Sequence, residues 1–261
     1  MSLQDPVKRV ETGRATQTEI LAGPAAEPST PYEASWRDFL FAEVWTRPGL
    51  DRRSRFLISI AGASTADTPA HILEGYLKGA LSLKELTLAE LREAALHFAV
   101  YGGWSRGAVM DAAITRAANS LGLKPAAFPA IRAEPWDPAV RFAEGEKNFA
   151  DVMTFGGPTA PGTAYLGSGI LNFVFGEMWR RPGLDERSRR WITLVGVSDS
   201  SSTIPIKTHI YAAMKSGNAS LDEMNEFVLQ YAIHAGWPCA SVIQGVVFEQ
   251  AKRIKDGQPP I

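Results

Sequence analysis

The chain has 261 residues, of which 45% are hydrophobic, and its 27 basic and 28 acidic side chains leave a net charge of −1. These values are typical of a soluble globular protein, and the interleaved charges argue against electrostatic binding of nucleic acid or of an anionic membrane. A single cysteine, Cys239, excludes an internal disulfide and fits a reducing compartment, so we expect a cytoplasmic protein. No apolar run is long enough to span a bilayer.

The N-terminal segment, residues 1–31, differs in composition from the rest of the chain. It is polar, and it contains Pro6, Pro24, Pro28 and Pro31. It also lacks the apolar core of a secretory signal peptide. We therefore expect these residues to form a flexible tail, or an arm that lies on a neighbour.

The rest of the chain contains an internal repeat. Phe39–Arg55 and Phe173–Arg189 are identical at 12 of 17 positions, at a constant spacing of 134 residues. Leu88–Gly107 and Leu221–Ala240 align in the same way at a spacing of 133 residues. A period this long is too large for a solenoid and indicates two homologous domains.

Both copies carry the signals that begin helices. An aspartate follows Pro-Gly-Leu in each copy, at Asp51 and Asp185, where its side chain can accept from free backbone N–H groups. Downstream, Thr87-Leu-Ala-Glu90 and Ser220-Leu-Asp-Glu223 read as capping boxes, each followed by apolar residues at helical spacing. The sequence therefore predicts an all-α protein.

The domain boundaries follow from the repeat and from the proline content between the copies. We predict a first unit at 32–121, a linker at 122–138 and a second unit at 139–257. The prolines that indicate the linker are Pro125, Pro129, Pro135 and Pro138.

Histidines are the most informative polar residues. His97 and Tyr101 lie four residues apart on one predicted helix, and their counterparts in the second copy are Gln230 and His234. The two copies thus place proton-exchanging groups on the same helical face, with histidine at different positions. A surface or capping role for any single histidine is the alternative, because most histidines are not catalytic.

Three pairs of arginines recur in the two copies. Each guanidinium could grip a substrate carboxylate through two hydrogen bonds, or it could hold the fold together through ion pairs with Glu43, Glu177, Asp51 and Asp185. We favour ion pairs for most of them and a carboxylate clamp for one at most. The arginine pairs are Arg47/Arg181, Arg53/Arg187 and Arg55/Arg189.

The repeated block and the helix after it resemble a known family. EVWTRPGLDRRSR and EMWRRPGLDERSR, each followed by a capped helix that ends in YGGW or HAGWP, are similar to carboxymuconolactone decarboxylases, which are related to the thiol peroxidase AhpD. This resemblance implies a small helical unit that assembles into trimers or hexamers, with active sites at subunit boundaries. Two tandem AhpD-like units would then form a fused pseudo-dimer, and we expect a homotrimer of such chains.

The resemblance also implies an activity. The founding reaction of the family is the decarboxylation of a carboxylated muconolactone in aromatic catabolism, without a cofactor, by a carbon–carbon lyase. AhpD relatives instead use a CxxC motif with a glutamate and a histidine. On this chain the histidine falls at His209, but the cysteines fall at Ser202 and Pro205 and the glutamate at Arg190. Because thiol chemistry needs both sulfurs, a thiol peroxidase of that type is unlikely to be retained.

The chain departs from the family pattern at positions that line the expected pocket. The family's basic residue after the histidine is Tyr211 here, although Lys78 keeps it in the first copy. Tyr76 stands where the first copy should have the histidine, and His234 replaces the family's usual tyrosine. These changes predict an altered substrate on a conserved scaffold.

From the resemblance we predict an acid/base mechanism that needs no cofactor and no metal. His209 would donate a proton, and His234 would be a second donor or would orient His209. The predicted substrate-binding residues comprise a carboxylate clamp, a residue that excludes water and a divergent second site: Arg181 or Arg187, Trp237, and His97 with Tyr101. The substrate would be a small carboxylate or lactone.

Two alternatives stay open at this point. One is an isomerase or cyclase that acts on a similar enolisable substrate. The other is a non-catalytic oligomeric partner, in which the duplication serves assembly. A packed interior around His209 and His234, in place of a shared cavity, would favour the second alternative.

Overall fold

The computed structural model describes residues 5–66, 68–131, 134–135, 137–156 and 162–261. Within these ranges the protein is helical throughout and contains no strand, which confirms the predicted all-α class. No helix in the described part of the chain has both the length and the apolar character needed to cross a membrane.

The first half contains six α-helices and a π-helical segment. They are α1 (Pro6–Ile20), α2 (Pro31–Ser35), the first π-helical segment (Trp36–Val44), α3 (Arg52–Thr65), α4 (Ala70–Ser82), α5 (Leu88–Gly102) and α6 (Trp104–Ser120).

The second half repeats most of this order. Its elements are α7 (Pro138–Met153), the second π-helical segment (Tyr165–Phe175), a short 3₁₀ turn (Met178–Arg180), α8 (Glu186–Asp199), α9 (Thr203–Lys215), α10 (Leu221–Ala235) and α11 (Trp237–Lys255).

The predicted capping residues begin the helices as expected. Asp51 accepts from the Ser54 backbone N–H at 2.8 Å at the start of α3, and Asp185 does the same at the start of α8. Both capping boxes are formed, at the start of α5 and of α10. Gly103 has a φ of 93° between α5 and α6, a left-handed conformation that glycine adopts without a steric penalty.

The N-terminal segment is not the loose tail that we expected. Asp5 and Pro6 start α1, which packs on the first π-helical segment and on α4 of its own chain. Close packing explains this difference, because Gly13 lies so near the backbone of Arg37 that a Cβ atom would be 2.0 Å from the Arg37 oxygen. Ile20, at the end of α1, is buried in the core.

Helix α1 corresponds to α7 of the second half. Gly145 of α7 approaches the Leu171 oxygen as closely as Gly13 approaches that of Arg37, since a Cβ atom would lie 1.9 Å away. Arg9 lies 3.6 Å from Glu43, and the equivalent Arg141 lies 2.9 Å from Glu177. This equivalence extends the first unit to Pro6, upstream of the predicted start at residue 32. Of the predicted linker, residues 132, 133 and 136 lie outside the described residues.

The two halves share one hydrophobic core. Helix α3 packs against α8 and α10, and α5 packs against α8, so each half places a helix against the other half. Buried residues of both halves form a single apolar cluster around these contacts. The helices that carry the histidines are therefore positioned by packing between the halves.

Candidate active site between the two halves

Two buried ion pairs join the halves in equivalent ways. Arg181 donates to both oxygens of Glu93 on α5, at 2.9 and 2.7 Å. The equivalent Arg47 contacts Glu226 on α10 at 2.5 Å, and Glu226 also accepts from Arg55 at 2.9 Å. The ion-pair interpretation of these arginines therefore agrees with the structure, although the main carboxylates come from the opposite half.

The two arginines predicted to clamp a substrate carboxylate are both engaged by the protein itself. Besides Glu93, Arg181 contacts two backbone carbonyls of the linker, and Glu93 raises its pKa. Arg187 donates to Glu223 at 2.8 Å and to Asp51 at 2.9 Å. These contacts fit ion pairs that join the halves better than they fit a substrate clamp.

A cluster of buried polar side chains, which we call the His209 cluster, lies beside the Glu93 pair. Helix α5 contributes two of its members, the 3₁₀ turn and α8 contribute four, and α9 contributes one. The members are His97, Tyr101, Trp179, Arg189, Arg190, Thr193 and His209.

His97 is fixed in the middle of this cluster. Its Nε2 lies 2.9 Å from Thr193 Oγ1, and its Nδ1 lies 3.4 Å from a guanidinium nitrogen of Arg189. Because guanidinium can only donate, Nδ1 accepts and Nε2 carries the proton. Its ring also packs edge-on against Trp179 at a centroid distance of 4.8 Å. His97 is therefore held in one orientation and one tautomer.

Tyr101 links the tryptophan to the second histidine of the cluster. Trp179 Nε1 donates to the Tyr101 hydroxyl at 2.7 Å, and the Tyr101 ring meets His209 edge-on at 5.3 Å. Burial raises the pKa of Tyr101 to about 12. The phenol is therefore neutral near pH 7 and keeps its own proton for donation.

Both imidazoles of the cluster are neutral at pH 7. Burial, aided by the charge of Arg190, lowers the pKa of His209 to about 3. Burial and the nearby Arg189 lower the pKa of His97 well below its ordinary value. Desolvation disfavours the imidazolium in each case.

Arg190 is a buried cation with an unusual set of partners. Its side chain has no exposed surface, and its guanidinium lies over the Trp179 ring at 4.7 Å. It donates to Asn218 Oδ1 at 3.0 Å and to the Val152 carbonyl, while the nearest carboxylate, Glu186, is 3.5 Å away. Burial lowers the pKa of Arg190 to about 10, so it remains charged at pH 7.

Two buried nitrogens of this cluster have no hydrogen-bond partner, namely Arg190 Nη1 and His209 Nδ1. Leaving such an atom unsatisfied costs about 1–3 kcal/mol, and more when the group is charged. The cluster is therefore prepared to donate to an acceptor from outside the chain.

The other histidine predicted to be catalytic, His234, belongs to a different cluster. Its ring meets Tyr76 edge-on at 5.8 Å, and Tyr76 stacks on Trp45 at 5.7 Å. The contacts of His209 and His234 share no residue, so the structure does not bring these two imidazoles together. We call this second set the His234 cluster; its members are Trp45, Arg55, Phe56, Ser59, Tyr76, Gln230 and His234.

Trp237 does not line either cluster. Its side chain is 55% exposed and packs at 6.1 Å against Phe39, as Trp104 packs against Phe173. A residue that excludes water from the histidines must cover them, so its predicted role has no structural support.

The sequence interpretation did not assign a role to Arg190. It identified this position only as the place of the AhpD glutamate. A second signal was available, because Arg190 corresponds to Phe56 in the first copy, and a cation in place of a core aromatic is a large change. Thr193, which corresponds to Ser59, was missed because a small hydroxyl on a buried helix carries little information.

The cluster is tightly packed. Its central residues His97, Arg190 and Thr193 have no exposed surface. Two surface grooves, of about 600 and 540 Å³, lie elsewhere, along α1 and beside the linker. Binding of a substrate at the cluster therefore requires some side chains to move.

Comparison with known proteins supports the family resemblance. Residues 31–115 match the model of the carboxymuconolactone decarboxylase family. This part of the chain belongs to that family. The matched segment contains His97 and Tyr101 of the His209 cluster and Trp45 and Tyr76 of the His234 cluster.

Two curated relatives are similar to the chain. The 4-carboxymuconolactone decarboxylase of Acinetobacter baylyi is 28% identical over 83 residues, which cover 32% of this chain and 61% of that protein. The nitrosuccinic acid decarboxylase npaB of Metarhizium robertsii is 32% identical over 87 residues, which cover 33% of this chain and 58% of that protein. The chain thus matches less than two thirds of the length of each relative, and both are decarboxylases by name.

Proposed function

We propose that this protein is a decarboxylase-like enzyme that removes CO₂ from a small anionic acid, using the side chains of the His209 cluster. The observation that carries this proposal is the pair of unpartnered buried donors, Arg190 Nη1 and His209 Nδ1. Decarboxylase names among the relatives support the reaction class.

In the proposed reaction, the bond between the carboxylate carbon and its neighbour breaks, and CO₂ leaves. The electron pair moves onto an adjacent acceptor, so that negative charge grows on an acceptor oxygen, as in an enolate or a nitronate. One proton is then added to the carbon. The net change is the conversion of a carboxylate and a proton into CO₂ and the protonated product.

We assign Arg190 Nη1 to the acceptor oxygen. A cation that held the leaving carboxylate would stabilise the substrate more than the transition state, whereas one at the acceptor oxygen binds most strongly as charge develops there. The packed surroundings strengthen this interaction because little water is present to screen it. Tyr101 is placed to donate its free hydroxyl proton to the same substrate.

We assign protonation of the carbon to His209. In the free protein burial lowers the pKa of His209 to about 3, so it is neutral at pH 7. A bound anion favours the imidazolium, so the pKa of His209 rises when substrate or carbanion occupies the cluster. His209 would then take a proton from solvent and deliver it to carbon, while His97 is held in place by Thr193 and Arg189.

One observation favours the non-catalytic alternative. The centre of the cluster is packed, and neither of the two surface grooves reaches it. In that alternative Arg190 would serve only to join α8 to α7 and to the loop at Asn218. The two functions therefore differ in what loss of the Arg190 charge does.

The test is the substitution Arg190→Met in the full chain, with CO₂ release from 4-carboxymuconolactone and from nitrosuccinic acid as the measurement. We expect kcat to fall by about 10²–10³-fold with the better of the two acids, because one transition-state donor is lost. Since methionine removes a buried cation that lacks a close carboxylate, stability should be unchanged or increased.

The matched control is Phe56→Met, at the equivalent position of the first half, which should keep wild-type turnover. Wild-type turnover in Arg190→Met would contradict the assigned role. No CO₂ release from either acid, together with destabilisation of Arg190→Met, would support the non-catalytic alternative.

A further inference from the structure

The His234 cluster contains a second group of unpartnered polar atoms. Trp45 Nε1, Tyr76 OH and His234 Nε2 are all buried and have no hydrogen-bond partner. The three rings are joined through Tyr76, which stacks on Trp45 at 5.7 Å and meets His234 edge-on at 5.8 Å. Three unsatisfied groups on neighbouring rings suggest one common binding position.

This group of atoms carries no charge. Burial raises the pKa of Tyr76, an effect that the neighbouring Trp45 side chain only partly opposes. Burial lowers the pKa of His234 to about 4, so both side chains are neutral at pH 7. At the position equivalent to Arg190 stands Phe56, which packs on Trp45 at 5.1 Å.

The buried cation of this cluster already has partners. Arg55 donates to Glu226 at 2.9 Å and to Gln230 Oε1 at 2.8 Å. Gln230 in turn donates to Ser59 at 2.8 Å. An anion brought to Trp45, Tyr76 and His234 would therefore be desolvated without a free cation to balance it, at a cost of several kcal/mol per ion.

The donors define the chemistry of a ligand. An indole N–H can only donate, and a phenol O–H can donate to the same acceptor. Leaving each of these groups unpaired costs about 1–3 kcal/mol, so an acceptor that satisfies two or three of them gains most of that energy. A neutral carbonyl oxygen has two lone pairs and a small desolvation cost.

We propose that the His234 cluster is a second, uncharged binding site, which takes the carbonyl oxygen of a neutral molecule such as a lactone or a ketone. Trp45 and Tyr76 donate to this oxygen, and His234 Nε2 provides the third contact. The site does not depend on decarboxylation at the His209 cluster, because the two clusters share no side chain.

The test uses the indole N–H signals of ¹⁵N-labelled full-length protein, with γ-butyrolactone as the neutral probe and butyrate as its anionic match. The protein has 7 tryptophans. Trp45→Phe and Trp179→Phe identify the two signals of interest. Trp179 is an internal control, because its N–H is already bonded to Tyr101 at 2.7 Å.

We expect the lactone to shift the Trp45 signal saturably and to leave the Trp179 signal in place, while butyrate shifts neither. Tyr76→Phe should raise the lactone Kd about tenfold, since a hydrogen bond worth about 1.4 kcal/mol is lost.

Three outcomes would overturn the proposal. They are a Trp45 signal that the lactone does not move, an equal shift with butyrate, and unchanged lactone affinity in Tyr76→Phe. Magnetisation transfer from water to the Trp45 N–H without any lactone shift would show a buried water site only. None of these results depends on whether the protein releases CO₂, so the two proposals fail separately.

Discussion

The His209 and His234 clusters are built on the same frame and differ in charge. In both, a glutamate of one half binds an arginine of the other, through Glu93 with Arg181 and Glu226 with Arg47. The recurrence of these pairs shows that they join the halves, because a substrate-binding group has no need to be present in duplicate. Chemistry is therefore better sought at the positions where the copies differ.

The differences follow a simple pattern. Each cluster has one phenol in edge-on contact with one imidazole, but the contributing helices are exchanged: Tyr101 on α5 meets His209 on α9, and His234 on α10 meets Tyr76 on α4. This exchange leaves the pair of groups unchanged. Only Arg190 breaks the balance, because it adds a buried charge to one cluster, and it is the residue on which the proposed reaction depends.

The largest expected effect concerns the shared frame. Glu93→Gln leaves Arg181 and Arg189 buried without a carboxylate, and should lower the free energy of unfolding by about 3–5 kcal/mol. Glu226→Gln should cost less, because its partner Arg47 is 24% exposed whereas Arg181 is 4% exposed. Urea denaturation of both variants measures the difference; equal losses would show that burial does not distinguish the two pairs.

A smaller effect separates the two imidazoles in catalysis. His209→Gln should lower kcat for CO₂ release by about 10²-fold or more, as expected when a general acid is lost. His234→Gln should leave kcat unchanged, because His234 contacts the other cluster. Thermal melting of both variants checks that they fold. A loss of turnover in His234→Gln alone would reverse the assignment of the two clusters.

The smallest of these effects is a pH dependence of stability. Burial holds the pKa of His209 at about 3 in the folded chain, so between about pH 6.5 and 3 the unfolded chain binds the extra proton. Stability is therefore fully present above about pH 6.5 and falls as the pH drops through this window.

Between pH 7 and 5 wild type should lose about 2 kcal/mol more than His209→Gln. Urea denaturation at both values measures this, in a range where most carboxylates stay ionised. Equal losses in the two proteins would mean that His209 is accessible to protons in the folded state.

Local features of the sequence predicted the helices well. Asp51 and Asp185 cap their helices and both capping boxes form, because each needs only a side chain and a backbone N–H within three residues. Helix α1 was missed although Arg9 and Gly13 recur as Arg141 and Gly145 at a spacing of 132 residues. Two matching residues in a proline-rich segment are too few to indicate a repeat.

The candidate site was predicted in part. The helical face of His97 and Tyr101 was identified from spacing, and His209 from the family resemblance. Pairing His209 with His234 was not supported, and neither was the covering role of Trp237. Both predictions required knowledge of which helices face each other, and side chains in contact across the halves are separated by 78–179 residues.

The sequence by itself determined that the chain is helical, that it is duplicated and where most helices begin, because capping and helical periodicity are interactions between residues a few positions apart. Tertiary structure alone decided that α5 meets α8 and α10 meets α3, and hence which phenol meets which imidazole. It also decided that Arg190 is buried without a full set of partners. Packing of a common core sets these contacts, and no local pattern records it.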